Sequence, residues 1–222
     1  MATDIYVALS GQIALERRLT TVANNVANLG TTGFRAEEVD FETILSVFRR
    51  ETTAFAAEGG TYLSRRPGPV EATGNPLDVA IDGPGWFGID VGGGEIAYTR
   101  DGRFSMTPAG DLVTATGHAV LDAGGAPVAL DPRAGPVSIG RDGTVVQDGE
   151  RAGVIGLFLL PPAARLERFG DAAVKSDVAA EPAEDLVANG MRQGFVEGSN
   201  VEPVMELTRL VMIQRQFESL AT

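Results

Sequence analysis

The sequence predicts an α+β protein in which N- and C-terminal α-helices pack together and flank an antiparallel, β-rich central domain, a small barrel or sandwich. Apolar residues recur at steps of three and four at both ends of the chain, the spacing of a helix face. Between the ends, apolar and polar residues alternate in short runs separated by turn signals. Seventeen of the 28 glycines lie between residues 83 and 156, as expected for many short strands joined by tight turns.

The first element is a helix predicted over residues 4–29. Its apolar stripe has Gln12 as one polar member, and Gly30 is suited to a left-handed stop. Such a helix is marginal in isolation, because most helical stability comes from burying the apolar face. The stripe consists of Ile5, Ala8, Leu15, Leu19, Val22, Val26 and Leu29.

Residues 35–75 are predicted to form a connector. Phe41, Ile44, Leu45 and Phe48 have the spacing of a short helical stripe. The run Arg65-Arg66-Pro67-Gly68-Pro69 favours extended chain instead, because proline restricts both itself and the residue before it.

A β-rich domain is predicted over residues 76–198, beginning with the alternation in Leu77–Ile81 and continuing in parts of 95–99 and 144–146. Residues 161–190, rich in proline, alanine and charge, are interpreted as loop or irregular edge. Five pairs are suited to tight hairpins: Asp82-Gly83, Asp101-Gly102, Gly124-Gly125, Asp142-Gly143 and Asp148-Gly149.

The second helix is predicted from about residue 200 to the end. Ser199 and Glu202 have capping-box spacing, and Pro203 falls in the first turn. The apolar pattern is still running at Thr222, so we expect the helix to be frayed or cut short there. Its broad apolar face comprises Val204, Leu207, Leu210, Val211, Ile213, Phe217 and Leu220.

Charge and composition exclude several classes of function. The net charge of −12 argues against nucleic acid or an anionic membrane surface as partner. The charge is concentrated in residues 76–200, with 18 acidic against 9 basic residues, whereas residues 1–34 sum to zero. The absence of cysteine excludes disulfides and thiolate chemistry. No cleaved signal peptide is predicted, and the longest apolar run, 154–160, is far too short to span a bilayer.

The possible catalytic motifs are weak, and no enzyme, metal site or cofactor is predicted. The fingerprint G-x-G-x-x-G occurs at residues 83–88, but the sequence after it continues as a strand where a dinucleotide site needs a helix. His118 is the only histidine and sits in an apparent turn. Most acidic residues belong to Asp-Gly turns, so their pairing carries no sign of glycosidase chemistry.

Three asparagines, Asn24, Asn25 and Asn28, close the first helix. Asparagine lowers helix propensity, so their position needs a reason. The residues alone leave two interpretations open, a solvated face or amides that hydrogen-bond neighbouring subunits when the helix is buried.

Three ordered segments resemble the flagellar axial proteins, the family of rod, hook and hook-associated subunits. Residues 23–28 with 32–35 are similar to the family's N-terminal signature, and residues 197–201 with 215–218 to its C-terminal signature. Residues 75–87 and 98–104 are similar to its β domain, although Trp86 stands where phenylalanine is more frequent. Proximal rod proteins are the most similar members, and distal rod proteins come next.

The resemblance implies a non-enzymatic rod subunit that polymerises through residues 1–34 and 199–222, with other rod proteins and itself as partners. It also implies export by the flagellar type III apparatus without a cleaved signal, and a place in the periplasmic drive shaft for motility. The implied assembly interface comprises Leu15, Leu19, Val22, Asn24, Asn25, Val26, Asn28, Leu29, Phe34, Ser199, Asn200, Val201, Val204, Leu207, Val211 and Phe217.

A distal rod protein is the alternative within the family. An alternative of a different class is a periplasmic β-domain binding module or hydrolase that acts on peptidoglycan. That alternative requires a concave site around His118 or a buried carboxylate.

Overall fold

The computed structural model describes residues 2–39, 60–185 and 188–220. Helix α1 (Ala2–Ala27) and helix α2 (Pro203–Leu220) lie at the two ends, and the described chain between them forms antiparallel β-structure. The predicted α+β class is confirmed. The helical stripe predicted at Phe41, Ile44, Leu45 and Phe48 lies outside the described residues.

The chain divides into two compact units. One, the helical unit, comprises the described residues of 1–29, 36–64 and 201–222, and the other, the β unit, comprises those of 30–35 and 65–200. Among the described residues, neither helix is long and apolar enough to cross a membrane.

Helix α1 ends in tight turns, with amide hydrogen bonds from Asn28 to the carbonyl of Asn25 and from Leu29 to that of Val26. The prediction of a left-handed stop at Gly30 is wrong. Instead, Gly33 has the positive φ, 71°. A side chain at Gly33 would also collide with the backbone of Asp101, so the position favours glycine for two reasons.

Helix α2 begins at Pro203, the first-turn position predicted for it. The amide of Glu206 donates to the carbonyl of Glu202 at 3.1 Å, which makes Glu202 the residue that caps the helix. The predicted capping box with Ser199 at its start is therefore wrong, since Ser199 lies four residues before the first helical residue.

The strands are short. In chain order they are β1 Glu37–Val39, β2 Thr61–Leu63, β3 Val70–Ala72, β4 Val79–Asp82, β5 Trp86–Asp90, β6 Ile96–Thr99, β7 Phe104–Met106, β8 Leu112–Thr114, β9 Ala119–Val120, β10 Val137–Ile139, β11 Thr144–Gln147, β12 Glu150–Val154, β13 Leu157–Leu159, β14 Leu166–Phe169, β15 Ala173–Ser176, β16 Glu181–Pro182, β17 Gly190–Gln193 and β18 Phe195–Glu197.

The largest sheet has nine strands. Its path is β14-β15-β6-β5-β9-β8-β7, with β13 also paired to β5 and β16 paired to β13. A three-stranded sheet, β10-β11-β12, and the pairs β4–β17 and β3–β18 complete the β unit, and β1–β2 belongs to the helical unit. None of these sheets, as far as the chain is described, closes into a barrel.

Residues 161–190 were predicted to be loop or irregular edge. The loop is wrong, because they contain β14, β15 and β16, whereas β14 does lie at the edge of the largest sheet. Strand β15 pairs with β6 in the largest sheet, where Ala173 faces Thr99. Long-range pairing overrides the weak local β-propensity of this alanine-, proline- and charge-rich segment.

The predicted hairpin turns are partly confirmed. Asp148 and Gly149 have φ of 50° and 81° and join β11 directly to β12, as a type I′ turn requires. The hairpin predictions at Asp82-Gly83 and Asp101-Gly102 are wrong, because the strands flanking each pair bond to other partners.

The core of the β unit is apolar and well packed. Phe87 and Phe104 meet edge to face with ring centroids 5.0 Å apart. The buried cluster comprises Val79, Ile81, Phe87, Phe104, Leu112, Val120, Val128, Leu130, Ile139, Val145, Ile155, Leu157 and Met191.

Candidate assembly interface

Helices α1 and α2 pack against each other through part of the apolar face that periodicity predicts for each. Leu15 and Val22 of α1 and Ile213 of α2 are buried at the centre of this contact. Half-buried apolar side chains complete it, namely Leu19, Val26, Leu210 and Phe217. An exposed hydrogen bond from Arg18 to Gln216, at 3.4 Å, links the two helices at its edge.

Asn25 is fully buried and its amide is used within the chain. Its Nδ2 donates to the carbonyl of Glu37 and its Oδ1 accepts from the amide of the same residue, both at 2.9 Å. The side chain thus pairs with β1 as a neighbouring strand would, and satisfies two backbone groups that burial would otherwise leave unpaired.

The other two asparagines lie at the end of α1 and bond to each other. Asn28 donates its Nδ2 to the carbonyl of Asn24 at 2.9 Å and to the side-chain oxygen of Asn24 at 3.1 Å. Both residues are half-buried, as is Leu29, so they remain partly available to a neighbouring molecule.

The opposite side of α2 carries an exposed stripe, which we define as Val204, Leu207, Val211 and the exposed Arg215 that continues it. The first three are 75%, 53% and 47% exposed. Steps of three and four place them on one face, away from Ile213 and the contact with α1. Two exposed methionines, Met205 and Met212, flank it. A helix that is apolar on both sides is expected to be buried on both sides.

Three predicted interface residues, Phe34, Ser199 and Asn200, are placed inside the β unit. Phe34 is fully buried under the guanidinium of Arg168, 4.2 Å from the ring centroid. Asn200 donates its Nδ2 to the carbonyl of Arg66 at 2.8 Å, and Ser199 is buried. The amide of Asn200 donates to the carbonyl of Phe34 at 3.3 Å, which joins the segment that follows α1 to the segment that precedes α2. Val201, also buried, belongs to the helical unit.

A buried ion cluster lies beside them in the β unit. The Glu197 carboxylate accepts from Nη2 of Arg35 at 2.6 Å, from Nη1 of Arg100 at 3.0 Å and from the amide of Gly68 at 2.8 Å. Trp86 lies against the two guanidinium groups, 5.5 and 5.3 Å from its ring centroid. All three charged side chains are at most 3% exposed.

Burial governs the protonation chemistry of this cluster. Desolvation lowers the pKa of Arg100 to about 10, with the Arg35 charge adding to the shift and Glu197 opposing it. Desolvation also lowers the pKa of Arg35, again against the attraction of Glu197. Both remain cations at neutral pH, so the cluster holds two positive charges against one negative.

Arg35, Arg100 and Glu197 lie in the segments that resemble the flagellar axial proteins, but their sequence context predicts no role for them. Each is a charged residue beside residues that are expected to be buried or to form a turn. That context does not identify which of the 30 acidic and 18 basic residues meet.

Comparison with known proteins identifies the family. Three family models match in order: "Flagella basal body rod protein" over residues 5–35, "Flagellar hook protein FlgE/F/G D1 domain" over 80–147, and "Flagellar basal body rod FlgEFG protein C-terminal" over 192–222. The flagellar basal-body rod protein FlgF of Mesorhizobium japonicum is 50% identical over 100% of this chain and 91% of its own length. The chain belongs to the flagellar basal-body rod protein family. It is a structural subunit of the basal body and not an enzyme.

Two other rod proteins extend this comparison. FlgF of Rhizobium meliloti is 43% identical over 99% of this chain and 91% of its own length. FlgG of Bacillus subtilis, also a basal-body rod protein, is 32% identical over 99% and 92%. Members of the rod family assemble with one another, so the exposed stripe of α2 is the feature to relate to their function.

The geometry of the weaker motifs agrees with a structural role. Strand β5 begins at Trp86, inside the glycine motif at residues 83–88, where a dinucleotide site needs a helix. His118 is half-buried against the ring of Phe169, with centroids 5.7 Å apart. Asp82 is exposed and faces Arg141 at 3.5 Å. The described residues contain no group of three or more metal-ligating side chains.

Proposed function

We propose that this chain is an FlgF-type subunit of the proximal rod, polymerising through its terminal helices into the periplasmic drive shaft for motility. The observation that carries this is the exposed stripe of α2, since three large apolar side chains on one helix face find no cover within the described chain.

The energy of the stripe suits polymerisation better than pairing. Full burial of a valine or leucine contributes roughly 1.5–3 kcal/mol, so covering the exposed fractions of Val204, Leu207 and Val211 contributes about 3–5 kcal/mol. Association costs about 4–15 kcal/mol in lost translational and rotational freedom. One stripe therefore does not hold two free subunits together. A subunit that enters a helical lattice meets several neighbours at once, and the contacts combine.

Six of the remaining interface residues fall into two groups in this proposal. Leu15, Val22 and Phe217 stabilise the α1–α2 pair that presents the stripe. Asn24, Asn28 and Leu29, which are half-buried, extend the contact surface at the end of α1.

We also propose a division of the chain into an axial core of residues 1–34 with 199–222, a connector of 35–75 and an outer β domain of 76–198. Two compact units and the concentration of negative charge in residues 76–200 support such a division. Since none of its described sheets closes, the outer domain is proposed to be a small sandwich rather than a barrel.

The proposal extends to delivery and partners. The subunit is exported by the flagellar type III apparatus without a cleaved signal and joins other rod proteins and its own copies in the periplasm. The near-neutral ends of the chain are consistent with protein-protein packing.

A distal, FlgG-type position is the second candidate, favoured by the 32% identity to FlgG of Bacillus subtilis over nearly the whole chain. Labelled subunits located in purified basal bodies by electron microscopy distinguish the two positions. Label at the membrane-proximal end of the rod is expected, and label at the hook-proximal end would assign the chain to the distal rod.

The helix-driven mechanism is tested by replacing Val204, Leu207 and Val211 together with serine in a strain that lacks the native gene. Because these side chains are exposed, we expect the variant to keep its circular dichroism but to be lost from basal bodies, with loss of motility. Ile96 and Val178, exposed apolar residues of the β unit, give the matched control when changed to serine. Normal incorporation of the α2 variant would rule out the mechanism.

A further inference from the structure

A cavity of about 220 Å³ lies within the helical unit, lined by residues of α1, β1, β2 and α2. Val22, Val39 and Ile213 provide apolar wall. A water molecule takes up about 30 Å³ in the liquid, so the space exceeds what one or two bridging waters fill.

One wall of this cavity contains a buried carboxylate that is only half satisfied. Glu206 is 3% exposed, and its Oε1 accepts from Nη1 of Arg209 at 2.6 Å. Its Oε2 is also buried and has no hydrogen-bond partner among the described residues. Leaving a buried acceptor unpaired costs about 1–3 kcal/mol, and more for a charged group.

The cavity is acidic as well as apolar. Glu37 and Glu38 line it together with Glu206, against Arg18 and Arg209 as the cations among its described lining residues. The formal charges of these five side chains sum to −1. A guanidinium or ammonium group on an aliphatic stem is the chemistry that fits an acceptor behind apolar walls.

The exposed stripe of α2 ends in such a group. Arg215 is exposed and has no hydrogen-bond or ion-pair partner among the described residues. It lies four residues after Val211, on the same face. Arginine accounts for 17 of the 18 basic residues of the chain, so a cation presented by a second copy is nearly always arginine.

We propose that the cavity is a socket for Arg215 of a second copy of this chain, whose guanidinium donates to the Glu206 carboxylate. This proposal rests on the assembly function above and deepens it. The socket and the stripe are different surfaces of the helical unit. Each copy can therefore insert its Arg215 into one neighbour and receive Arg215 from another. Such a heterologous contact repeats from copy to copy and builds an open filament.

The pairing also fixes a register. Glu206 and Arg215 are nine residues apart on α2, and a helix rises 1.5 Å per residue. If the two copies of α2 run parallel, successive subunits are offset by about 13.5 Å along the helix. The apolar stripe supplies burial, and the ion pair selects this offset among those that the stripe alone allows.

A double-mutant cycle tests the socket with the full chain as the sole copy in the cell. Glu206→Gln, Arg215→Gln and the double variant are compared by the amount of chain in purified basal bodies, normalised to a ring protein. We expect each single change to lower incorporation at least about tenfold, and the double change to lower it no further, because both remove the same pair. The matched control is Glu202→Gln, because Glu202 is an exposed carboxylate one helical turn before Glu206. We expect normal incorporation of this variant.

The outcomes separate the socket from the assembly function. Additive losses, or no loss from either change, would overturn the socket, while loss on replacing Val204, Leu207 and Val211 would still support helix-driven assembly. A loss with Glu206→Gln but not with Arg215→Gln would overturn the second copy as donor. Arg215 is exposed, so its replacement tests the socket even if Glu206→Gln impairs folding.

Discussion

Replacing Glu197 with glutamine is the most demanding test of the buried ion cluster. The change keeps the shape of the side chain and removes its charge. Two guanidinium groups, from Arg35 and Arg100, then share a buried site without a counterion, because arginine stays protonated. The new amide NH₂ also takes the place of one carboxylate oxygen and faces the donor or donors that this oxygen accepted from.

The size of the effect follows from the contacts of the carboxylate. It accepts three hydrogen bonds, two of them from cations, in a site at most 3% exposed. Removing one partner of a buried ion pair costs about 3–5 kcal/mol, and typical domains have about 5–15 kcal/mol of stability in total. We therefore expect Glu197→Gln to lower the free energy of unfolding of the β unit by about 3–5 kcal/mol.

The chain offers its own probe for this measurement. Trp86 is the only tryptophan and lies against Arg35 and Arg100. Its fluorescence in a urea titration therefore reports the unfolding of the β unit at the cluster itself. Asp82→Asn is the matched control, since Asp82 forms an exposed pair with Arg141 and such pairs contribute about 0–1 kcal/mol.

A destabilisation by Glu197→Gln of less than about 1 kcal/mol, no larger than that of the control, would refute the reasoning. It would mean that water reaches the cluster and screens its charges. A second check is Arg35→Met in the Glu197→Gln background, which removes one uncompensated cation. It is expected to cost less there than in the native chain, because the two residues interact.

Two further predictions concern single side chains. Asn25→Ala is expected to lower the free energy of unfolding by about 1–3 kcal/mol and to speed amide hydrogen exchange at Glu37, which loses both of its side-chain partners. Asn24→Ala provides the contrast, and equal exchange rates at Glu37 in the two variants would contradict the assignment. Trp86→Phe is expected to cost about 0.5–2 kcal/mol, measured by circular dichroism in urea, because the indole ring attracts cations more strongly than phenylalanine.

The elements that could be predicted from the sequence are those whose signal is local. Periodicity of three and four in the apolar residues is enough for α1 and α2, and Pro203 marks the start of α2. The Asp148-Gly149 hairpin follows from two residues that tolerate positive φ. Strands β14 and β15 were missed because β15 pairs with β6, far away in the chain, and β14 joins the sheet only through β15.

The candidate interface was also predictable only where its signal is local. The stripe residues Val204, Leu207 and Val211 follow from periodicity, but periodicity alone does not say which half of a broad apolar face meets α1. The intrachain use of the Asn25 amide depends on where β1 lies, and no spacing in the sequence gives that position.

The buried carboxylates of Glu197 and Glu206 differ in how many of their oxygens have a partner within the described chain, and this difference bears on assembly. In the β unit the buried carboxylate of Glu197 has partners for both oxygens. In the helical unit the buried carboxylate of Glu206 has a partner for one oxygen, and the stripe of α2 remains uncovered. Each unmet contact costs the free subunit stability that a neighbour can restore. Under the proposed function, the same deficit that keeps the free helical unit marginal therefore provides the free energy for joining the rod.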